Sequence, residues 1–209
     1  GSSQGNGYAI ANGFIENGAY VCGIDIKKPK NSKIINSDKF NYIKCDLSKD
    51  TSILDAIKKI KKRYKKIDVL INNAGISLPL RDDIRQFDDW DITHRINLRA
   101  PYFLTKNLIS SIKKGGSVIN ITSLGSLLGF PENPSYISSK GGLKMLTKSL
   151  AVDFGKKEVR VNNILPGYMK TSMTKGSYSK KKLKQERDKR MILNRWRNSS
   201  DIVGTCRFL

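Results

Sequence analysis

The chain has 209 residues, of which 38% are hydrophobic and 27% charged, and its formal net charge is +21 at pH 7. That size and composition suit one globular domain, residues 1–209, with a sizeable core. No apolar run approaches the ~20 residues that a membrane helix needs, and the first residues lack the basic and apolar regions of a secretory signal. We therefore expect a cytoplasmic protein without a membrane partner.

The cysteines and the histidine give no sign of a metal site. Cys22, Cys45 and Cys206 are scattered, odd in number and outside any metal-ligand spacing, and His94 is the single histidine. Scattered cysteines are typical of reduced thiols in a cytoplasmic protein. We expect no bound metal.

The positive charge has two interpretations. It can indicate a nucleic-acid or anionic-membrane partner. It can also reflect a lysine-rich composition with solvated helix faces. We favour the second interpretation, because the lysines are spread along the chain and are not interleaved with stacking aromatics. Nucleic-acid binding stays as an alternative.

The first half of the chain alternates short apolar strands with helices. Residues 1–7 read Gly-Ser-Ser-Gln-Gly-Asn-Gly, and a short amphipathic helix then runs to Gly18. Strands are predicted at 19–24, 41–44 and 67–71. A helix is predicted at 51–64, with Ser48 or Asp50 as its cap.

The second half continues the alternation. A helical region is predicted at 83–113 with an interruption near Thr93, then a strand at 117–121, a helix at 135–154 and a strand at 159–164. The remainder is basic and helical, and a last helix opens at 199–201. The pattern predicts an α/β fold of the Rossmann-like, doubly wound type in a single domain, with ligands beyond the carboxyl ends of the strands.

Gly1, Gly5 and Gly7 form a dinucleotide-binding pattern before the first helix. Glycines permit a tight turn and a close approach of the backbone to a pyrophosphate, and the helix N-terminus favours its charge. By itself the pattern is weak, because a leading Gly-Ser can also be a remnant of cloning. Such a turn should also follow a strand, and none precedes it here.

Asp25 lies eighteen residues after Gly7, at the end of the next predicted strand. A carboxylate there can accept hydrogen bonds from ribose hydroxyls and repel a 2′-phosphate, which favours NAD over NADP. Lys27 and Lys28 follow closely and soften this preference, so NADP stays open. The alternative role for Asp25 is a solvated strand end.

Ser123, Tyr136 and Lys140 indicate the chemistry. Tyr136 and Lys140 are four residues apart, which places both side chains on one face of a helix. A nearby cation favours the phenolate, so the pair can act as a general acid/base near neutral pH. Ser123 ends a strand, where its hydroxyl can hold a carbonyl or alcohol oxygen. The pair alone also occurs by chance on solvated helices.

In this order the motifs resemble the short-chain dehydrogenase/reductase family, in its short single-domain branch, over essentially the whole chain. The resemblance implies that Tyr136 is the acid/base, that Ser123 holds the substrate oxygen, and that Asn97 keeps a water of a proton relay behind Lys140. It implies that Lys140 binds the nicotinamide ribose and lowers the pKa of Tyr136. The implied cofactor-binding residues are Gly1, Ser3, Gly5, Asn6, Gly7, Asp25, Asp46, Leu47, Asn73, Ala74, Gly75, Tyr136, Lys140, Pro166, Gly167 and Thr171.

Within that set, Asp46 with Leu47 is implied at the adenine, Asn73 at the cofactor and central strand, and Thr171 at the nicotinamide amide. Asn97 as an ordinary polar helix residue and Thr171 as a helix cap are the simpler alternatives.

The chain departs from the family at three places. Asn6 replaces an apolar residue in the glycine turn. The first strand, which is central in the family's sheet, and the final strand are both absent from the sequence. Because a sheet without its central strand exposes unpaired edges, we expect these 209 residues to be part of a longer chain.

The resemblance implies hydride transfer between an alcohol or ketone and NAD, with NADP open. Candidate substrates are a sugar or polyol, a 3-oxoacyl thioester, or a secondary alcohol, and the basic segment after Thr171 hints at an anionic one. A homodimer or homotetramer is implied, through the helices that carry Asn97 and Tyr136. The rival function is a non-catalytic dinucleotide sensor or regulatory protein of the same fold.

Overall fold

The computed structural model describes residues 1–78 and 83–209. The strands are β1 (Val21–Asp25), β2 (Phe40–Lys44), β3 (Ile67–Asn72), β4 (Ile112–Ile121) and β5 (Arg160–Ile164). The α-helices are α1 (Gly5–Glu16), α2 (Ser32–Ile35), α3 (Asp50–Arg63), α4 (Arg85–His94), α5 (Ala100–Leu108), α6 (Pro134–Gly155), α7 (Lys175–Ser179), α8 (Lys181–Asp188) and α9 (Val203–Phe208). A π-helical turn (Arg95–Arg99) joins α4 to α5, and 3₁₀ turns cover Leu124–Ser126 and Ser199–Ile202.

The strands form two parallel sheets. One sheet pairs β1 with β2, and the other has the order β3-β4-β5. In the larger sheet Asn72 pairs with Asn120, and Ile121 pairs with Ile164, so the carboxyl ends of its three strands lie at one edge. This parallel α/β arrangement confirms the predicted Rossmann-like fold.

A cavity of about 670 Å³ separates the two sheets. Val21–Ile24 of β1 line one side and Ile67–Asn72 of β3 the other, while Leu104 and Phe14 close its faces. In the described residues no strand lies between β1 and β3.

The larger sheet is covered on both faces. In β3, Leu70 packs with the cluster formed by α3 and α5, whereas Val69 and Ile71 pack with the cluster formed by α1 and α9. The alternation follows from the two-residue period of a strand. Along α3, Ile53, Ala56, Ile57 and Ile60 are buried, which is the spacing of one helix face.

Several predicted boundaries are wrong. The helical region expected at 83–113 is interrupted by the π turn at 95–99 and ends at Leu108, and β4 begins already at Ile112 because Ile112 pairs with Ile67. Neither proposed cap holds α3, since its N-cap is Lys49 and the Ser48 hydroxyl donates to Asp46.

Neither a membrane-spanning helix nor a metal-ligand cluster is present in residues 1–78 and 83–209. No helix there combines the length and apolarity of a membrane span. No three metal-ligating side chains come together in the same part of the chain.

Candidate active site

Tyr136, Lys140 and Ser123 meet at the carboxyl end of β4. Tyr136 and Lys140 lie one turn apart on α6, whose N1 residue is Pro134. Ser123 lies two residues after the end of β4, and its Oγ accepts the Gly125 N–H at 3.0 Å. The Lys140 side chain is 3% exposed, and its Nζ donates to the Ile121 carbonyl at 2.9 Å. The same Nζ lies 5.9 Å from the centre of the Tyr136 ring.

The pKa of Tyr136 shifts in the opposite direction from the one expected. Burial raises the pKa of the phenol, and a hydrogen bond with the Ser123 hydroxyl only partly opposes that change. Burial also lowers the pKa of the Lys140 ammonium to about 8, so Lys140 is still charged at pH 7. In this arrangement the loss of solvent around the phenol is the larger effect on Tyr136, and a lowering of the Tyr136 pKa by Lys140 stays a prediction.

Asn97 is fully buried in the π-helical turn between α4 and α5. Its Oδ1 accepts the Ile76 N–H at 2.8 Å, and its Nδ2 donates to the Ile76 carbonyl at 2.9 Å and to Ser139 Oγ at 3.1 Å. A π turn adds a residue to the helix and re-aims the side chains there, and such turns recur at functional sites. Asn97 thus ties the segment after β3 to α6.

Gly75 brings Asn97 and Lys140 close to the Asn-Asn-Ala-Gly segment. A Cβ added at Gly75 would lie 3.2 Å from Lys140 Nζ and 3.3 Å from Asn97 Oδ1. A larger residue there would crowd both side chains. The structure therefore brings together Ser123, Tyr136, Lys140, Asn97 and Gly75, which the sequence had separated by as many as 65 residues.

The glycine turn is packed too tightly for side chains. A Cβ at Gly7 would lie 1.6 Å from the Gly1 carbonyl oxygen, and one at Gly1 would lie 2.7 Å from Ala74 Cα. Asn73 Nδ2 donates to the Gly1 carbonyl at 2.9 Å, and Gly5 has a φ of +55°. Gly1 is therefore an integral part of the turn, which disfavours the interpretation as a cloning remnant.

The turn fits the pyrophosphate of a dinucleotide. It feeds the N-terminus of α1, whose N-cap Gln4 gives no side-chain hydrogen bond, so the first N–H groups are free for an anion. Nearby, the Ser2 hydroxyl and Asn6 Oδ1 are buried without a hydrogen-bond partner in the described structure. Asn6 therefore does more than replace an apolar residue, since it leaves a polar atom in the turn.

Asp25 ends β1 beside this turn. Its carboxylate accepts the Ser3 N–H at 3.0 Å and the Lys27 N–H at 3.2 Å. Burial disfavours its charge, whereas the Ser3 and Lys27 N–H donors stabilise the ionised carboxylate and lower the pKa of the Asp25 carboxyl. An ionised carboxylate next to the glycine turn suits ribose hydroxyls and disfavours an added phosphate.

Asp46 and Leu47 follow β2 on the same side of the molecule. Asp46 Oδ1 accepts the Ser48 N–H at 3.0 Å and the Ser48 hydroxyl at 2.7 Å. The Ser48 hydroxyl is the main reason that the pKa of Asp46 is below its usual range. The Leu47 side chain packs against the core cluster of α3 and α5. Their contact with an adenine stays a prediction.

The segment 166–171 connects the glycine turn with the catalytic side chains. The Leu124 N–H, next to Ser123, donates to the Pro166 carbonyl at 2.9 Å. Further on, a Cβ added at Gly5 would lie 3.6 Å from the Thr171 methyl group. Gly167 is exposed between these two contacts. The segment therefore lies where a group bound at the glycine turn would extend towards Tyr136.

Sequence reasoning missed a buried polar network beneath the site. Asn72 Nδ2 donates to Asn120 Oδ1 at 2.8 Å and to Thr105 Oγ1 at 3.1 Å, and Asn120 Nδ2 donates to Thr147 Oγ1 at 2.8 Å. Asn120 is fully buried. The asparagine in an otherwise apolar strand was the available signal.

Sequence reasoning also missed an aromatic cluster at the basic segment after Thr171. Tyr168 lies 5.3 Å from Trp196 and 6.4 Å from Phe130, and Trp196 lies 5.6 Å from Tyr178, all between ring centres. Trp196 is 5% exposed, and its indole N–H donates to Asp188 at 2.9 Å. The partners are too far apart in sequence for any periodic pattern to reveal them.

The comparisons with known proteins cover the whole chain. The family model described as "Enoyl-(Acyl carrier protein) reductase" matches residues 1–209. The chain is 31% identical over 219 residues to a 3-oxoacyl-[acyl-carrier-protein] reductase of Chlamydia pneumoniae, covering 100% of the chain and 86% of that protein. It is 31% identical over 218 residues to the 2-dehydro-3-deoxy-D-gluconate 5-dehydrogenase of Escherichia coli, covering 100% and 85%.

Two solved structures have the same fold. A 4-hydroxyisoleucine dehydrogenase complexed with NADH gives a TM-score of 0.91 at 30% identity, with 100% of this chain and 88% of that one covered. A gluconate 5-dehydrogenase from Burkholderia cenocepacia, in complex with NADP and tartrate, gives a TM-score of 0.87 at 27% identity, with 100% and 85% covered.

Proposed function

The chain belongs to the short-chain dehydrogenase/reductase family, and we propose that it interconverts an alcohol and a ketone by hydride transfer, with Tyr136 as the acid/base. The observation that carries the proposal is the convergence of Tyr136, Ser123, Lys140 and Asn97 at the carboxyl end of β4. A bound NAD or NADP supplies the hydride acceptor or donor at the nicotinamide.

The protein's own groups hold and move the proton. Ser123, already hydrogen-bonded to Tyr136, holds the substrate oxygen within reach of the phenol. In oxidation Tyr136 accepts the proton of the alcohol, and in reduction it returns a proton to the ketone oxygen. Lys140 holds the nicotinamide ribose, and Asn97 keeps the route behind Lys140 open to water.

The raised pKa of Tyr136 makes the phenol a proton donor at neutral pH, which suits reduction. In oxidation the phenol must lose its proton. A positive charge on an oxidised nicotinamide beside it would favour the phenolate, as any nearby cation does. We therefore expect activity in the oxidising direction to rise with pH more steeply than activity in the reducing direction.

The proposed cofactor is NAD in preference to NADP. The support is the ionised Asp25 at the glycine turn, together with its contact to Ser3. Lys27 follows closely and its side chain is exposed, so a residual use of NADP is expected.

The proposed substrate is a hydroxy acid of the sugar-acid type. The Escherichia coli relative acts on a gluconate derivative, and the Burkholderia cenocepacia structure holds tartrate. The basic segment 175–190 agrees with an anionic substrate. A 3-oxoacyl thioester is the second candidate, because the Chlamydia pneumoniae relative acts on one.

We further propose that two copies of the chain associate through α4, α5 and α6. Apolar side chains are exposed on these helices, namely Trp90, Phe103, Met145 and Val152. Exposed apolar groups on neighbouring helices are typical of an association surface. Light scattering of the wild type would reveal the dimer.

Replacing Tyr136 by Phe tests the proposed reaction. The phenyl ring keeps the packing but loses the hydroxyl, so kcat should fall by about 10²- to 10⁴-fold while dinucleotide affinity stays the same. Steady-state kinetics with NAD against sugar acids, polyols and ketones would measure this. The matched control is Tyr20→Phe, since Tyr20 is 73% exposed.

Near-normal turnover of Tyr136→Phe would refute the assigned role. Dinucleotide binding by the wild type without turnover of any compound in the screen would instead favour the non-catalytic sensor.

A further inference from the structure

The basic segment 170–190 contains one cation that differs from the rest. In this segment, all of which the structure describes, every lysine and arginine is exposed except Arg187, which is partly buried. Its guanidinium lies 5.7 Å from the centre of the Tyr168 ring. Arg187 is therefore fixed on a surface, whereas its neighbours extend into solvent.

The aromatic cluster determines where Arg187 points. Trp196 binds Asp188, the residue after Arg187, through its indole N–H, and it also packs on Tyr168. Lys184 pairs with the same Asp188 carboxylate at 2.5 Å. The Lys184 pair lies within α8, and the Trp196 hydrogen bond holds the end of α8 against the aromatic cluster, with Arg187 beside Tyr168.

The surface under Arg187 leads to the catalytic serine. Tyr168 packs on Phe130, and a Cβ added at Gly125 would lie 3.3 Å from the Phe130 ring. The Gly125 N–H in turn donates to Ser123 Oγ. A continuous wall therefore runs from Ser123 through Phe130 and Tyr168 to Arg187.

Arg187 has no ion-pair partner among the described residues, although it is partly buried. Of the two carboxylates adjacent in sequence, Asp188 is occupied by Lys184 and Trp196, and Glu186 forms no ion pair with Arg187 in the described structure. A guanidinium presents a fork of donors that matches a carboxylate, and in a partly desolvated position such a pair contributes more than it does on the open surface.

From this geometry we propose that Arg187 is a specificity-determining residue that binds the carboxylate of the substrate, at the end of the molecule away from the hydroxyl held by Ser123. This inference rests on the proposed function, and it narrows the substrate class to hydroxy acids whose charged group contacts the aromatic wall. Uncharged polyols of equal length lack the group that Arg187 recognises.

The test compares D-gluconate with D-glucitol, which have the same number of carbons but differ in charge. Arg187→Met keeps an apolar chain over Tyr168 and removes the donors. We expect kcat/KM for gluconate to fall on the order of 10- to 100-fold, mainly through KM, while the value for glucitol stays within about two-fold. Arg187→Lys should recover part of the loss.

Arg190→Met is the matched control, because Arg190 is exposed in the same segment and its removal lowers the net charge equally. Equal losses in Arg190→Met and Arg187→Met would overturn the proposal, since they would show that only the overall charge matters. An unchanged gluconate preference in Arg187→Met would also overturn it, while leaving the proposed reaction intact.

A binding measurement decides the case in which the wild type turns over neither compound, which would count against the proposed function instead. Trp90→Phe leaves Trp196 as the single tryptophan, next to Tyr168. With saturating dinucleotide, titration with tartrate should change the Trp196 emission, and Arg187→Met should weaken this binding about 10-fold or more. Equal tartrate affinity in both proteins would refute the role of Arg187.

Discussion

The two sheets of the molecule carry different parts of the site and differ in how tightly they are held in place. The β3-β4-β5 sheet, with α6, holds Ser123, Tyr136 and Lys140, and it is tied together by buried hydrogen bonds between side chains. The β1-β2 sheet, with the glycine turn, holds Asp25 and is separated from the first by a cavity of about 670 Å³.

The two parts of the site therefore have different roles. We call the β3-β4-β5 sheet with α6 the catalytic side, and the β1-β2 sheet with the glycine turn the nucleotide side. On the catalytic side, side chains are fixed by one another, so a change in one leaves its partners unsatisfied. On the nucleotide side we expect the backbone to bind the dinucleotide, because only glycine permits such a close approach. Catalytic-side substitutions should therefore act through stability and proton transfer, and nucleotide-side substitutions through dinucleotide affinity.

The largest effect is expected when the catalytic-side network is broken. Asn120→Ala leaves a small cavity and removes one hydrogen-bond partner each from Asn72 and Thr147, so the free energy of unfolding should fall by about 3 kcal/mol. Asn41→Ala, in β2, is the matched change on the other sheet, where the amide is half-buried and makes a weak contact with Cys22 Sγ at 3.9 Å and a contact with Tyr64. Its cost should stay below about 1 kcal/mol. Urea titrations in which Asn120→Ala and Asn41→Ala lost equal free energies of unfolding would contradict this difference between the sheets.

The buried charge of Lys140 should appear as a pH dependence. Burial lowers its pKa from 10.5 to about 8, so the ammonium is charged in both folded and unfolded chains below pH 8. Between about pH 8 and 10.5 the unfolded chain keeps a proton that the folded chain has released, so the contribution of this group to stability rises with pH, by up to about 3 kcal/mol. In urea titrations across this pH window, the free energy of unfolding of the wild type should rise relative to that of Lys140→Met. A difference that does not vary with pH would show that the pKa of Lys140 is not lowered in the folded chain.

Substitutions in the glycine turn should weaken dinucleotide binding. Gly7→Ala places a Cβ 1.6 Å from the Gly1 carbonyl, so the turn must open, and dinucleotide affinity should weaken on the order of 100-fold by calorimetric titration. Gly204→Ala is the control, because an added Cβ there meets no atom within 4 Å. Unchanged affinity in Gly7→Ala would place the dinucleotide elsewhere.

The smallest effect is expected at Asp25. Asp25→Asn keeps an acceptor for ribose but removes the charge that repels a 2′-phosphate, so the ratio of NADP to NAD affinity should rise about 10-fold. Asp46→Asn changes an equal charge after β2 and should leave the ratio unaltered. A ratio that moves equally in both variants would assign the preference to net charge.

The sequence predicted best what depends on local chemistry. Helix α6 begins and ends within one residue of its expected limits, because Pro134 favours the first turn and the buried residues Lys140, Leu143, Thr147 and Leu150 recur at helical spacing. The region 83–113 was less predictable, since β4 extends through Lys113, Lys114 and two glycines only because Ile112 pairs with Ile67. Tertiary pairing there overrides local preference.

In the candidate site, too, the features that depend on tertiary contacts could not be predicted from the sequence. Spacing alone identified Tyr136 and Lys140 as neighbours on a helix, but the direction of the Tyr136 pKa depends on how completely the phenol is buried, which no spacing reveals. Arg187 could not be distinguished from the surrounding lysines, because its difference comes from Tyr168 and Trp196 folding back on the segment.

The gap between the sheets should be visible in amide hydrogen exchange. β4 has strand partners on both sides, whereas β1 and β3 each have one such partner among the described residues. In a protein of these 209 residues alone, the amides of Val118 and Ile119 should exchange last, and those of β1 and β3 that face the cavity should exchange orders of magnitude sooner. The early-exchanging amides would then be those of β1 and β3 that line the cavity, while the surrounding core stays protected.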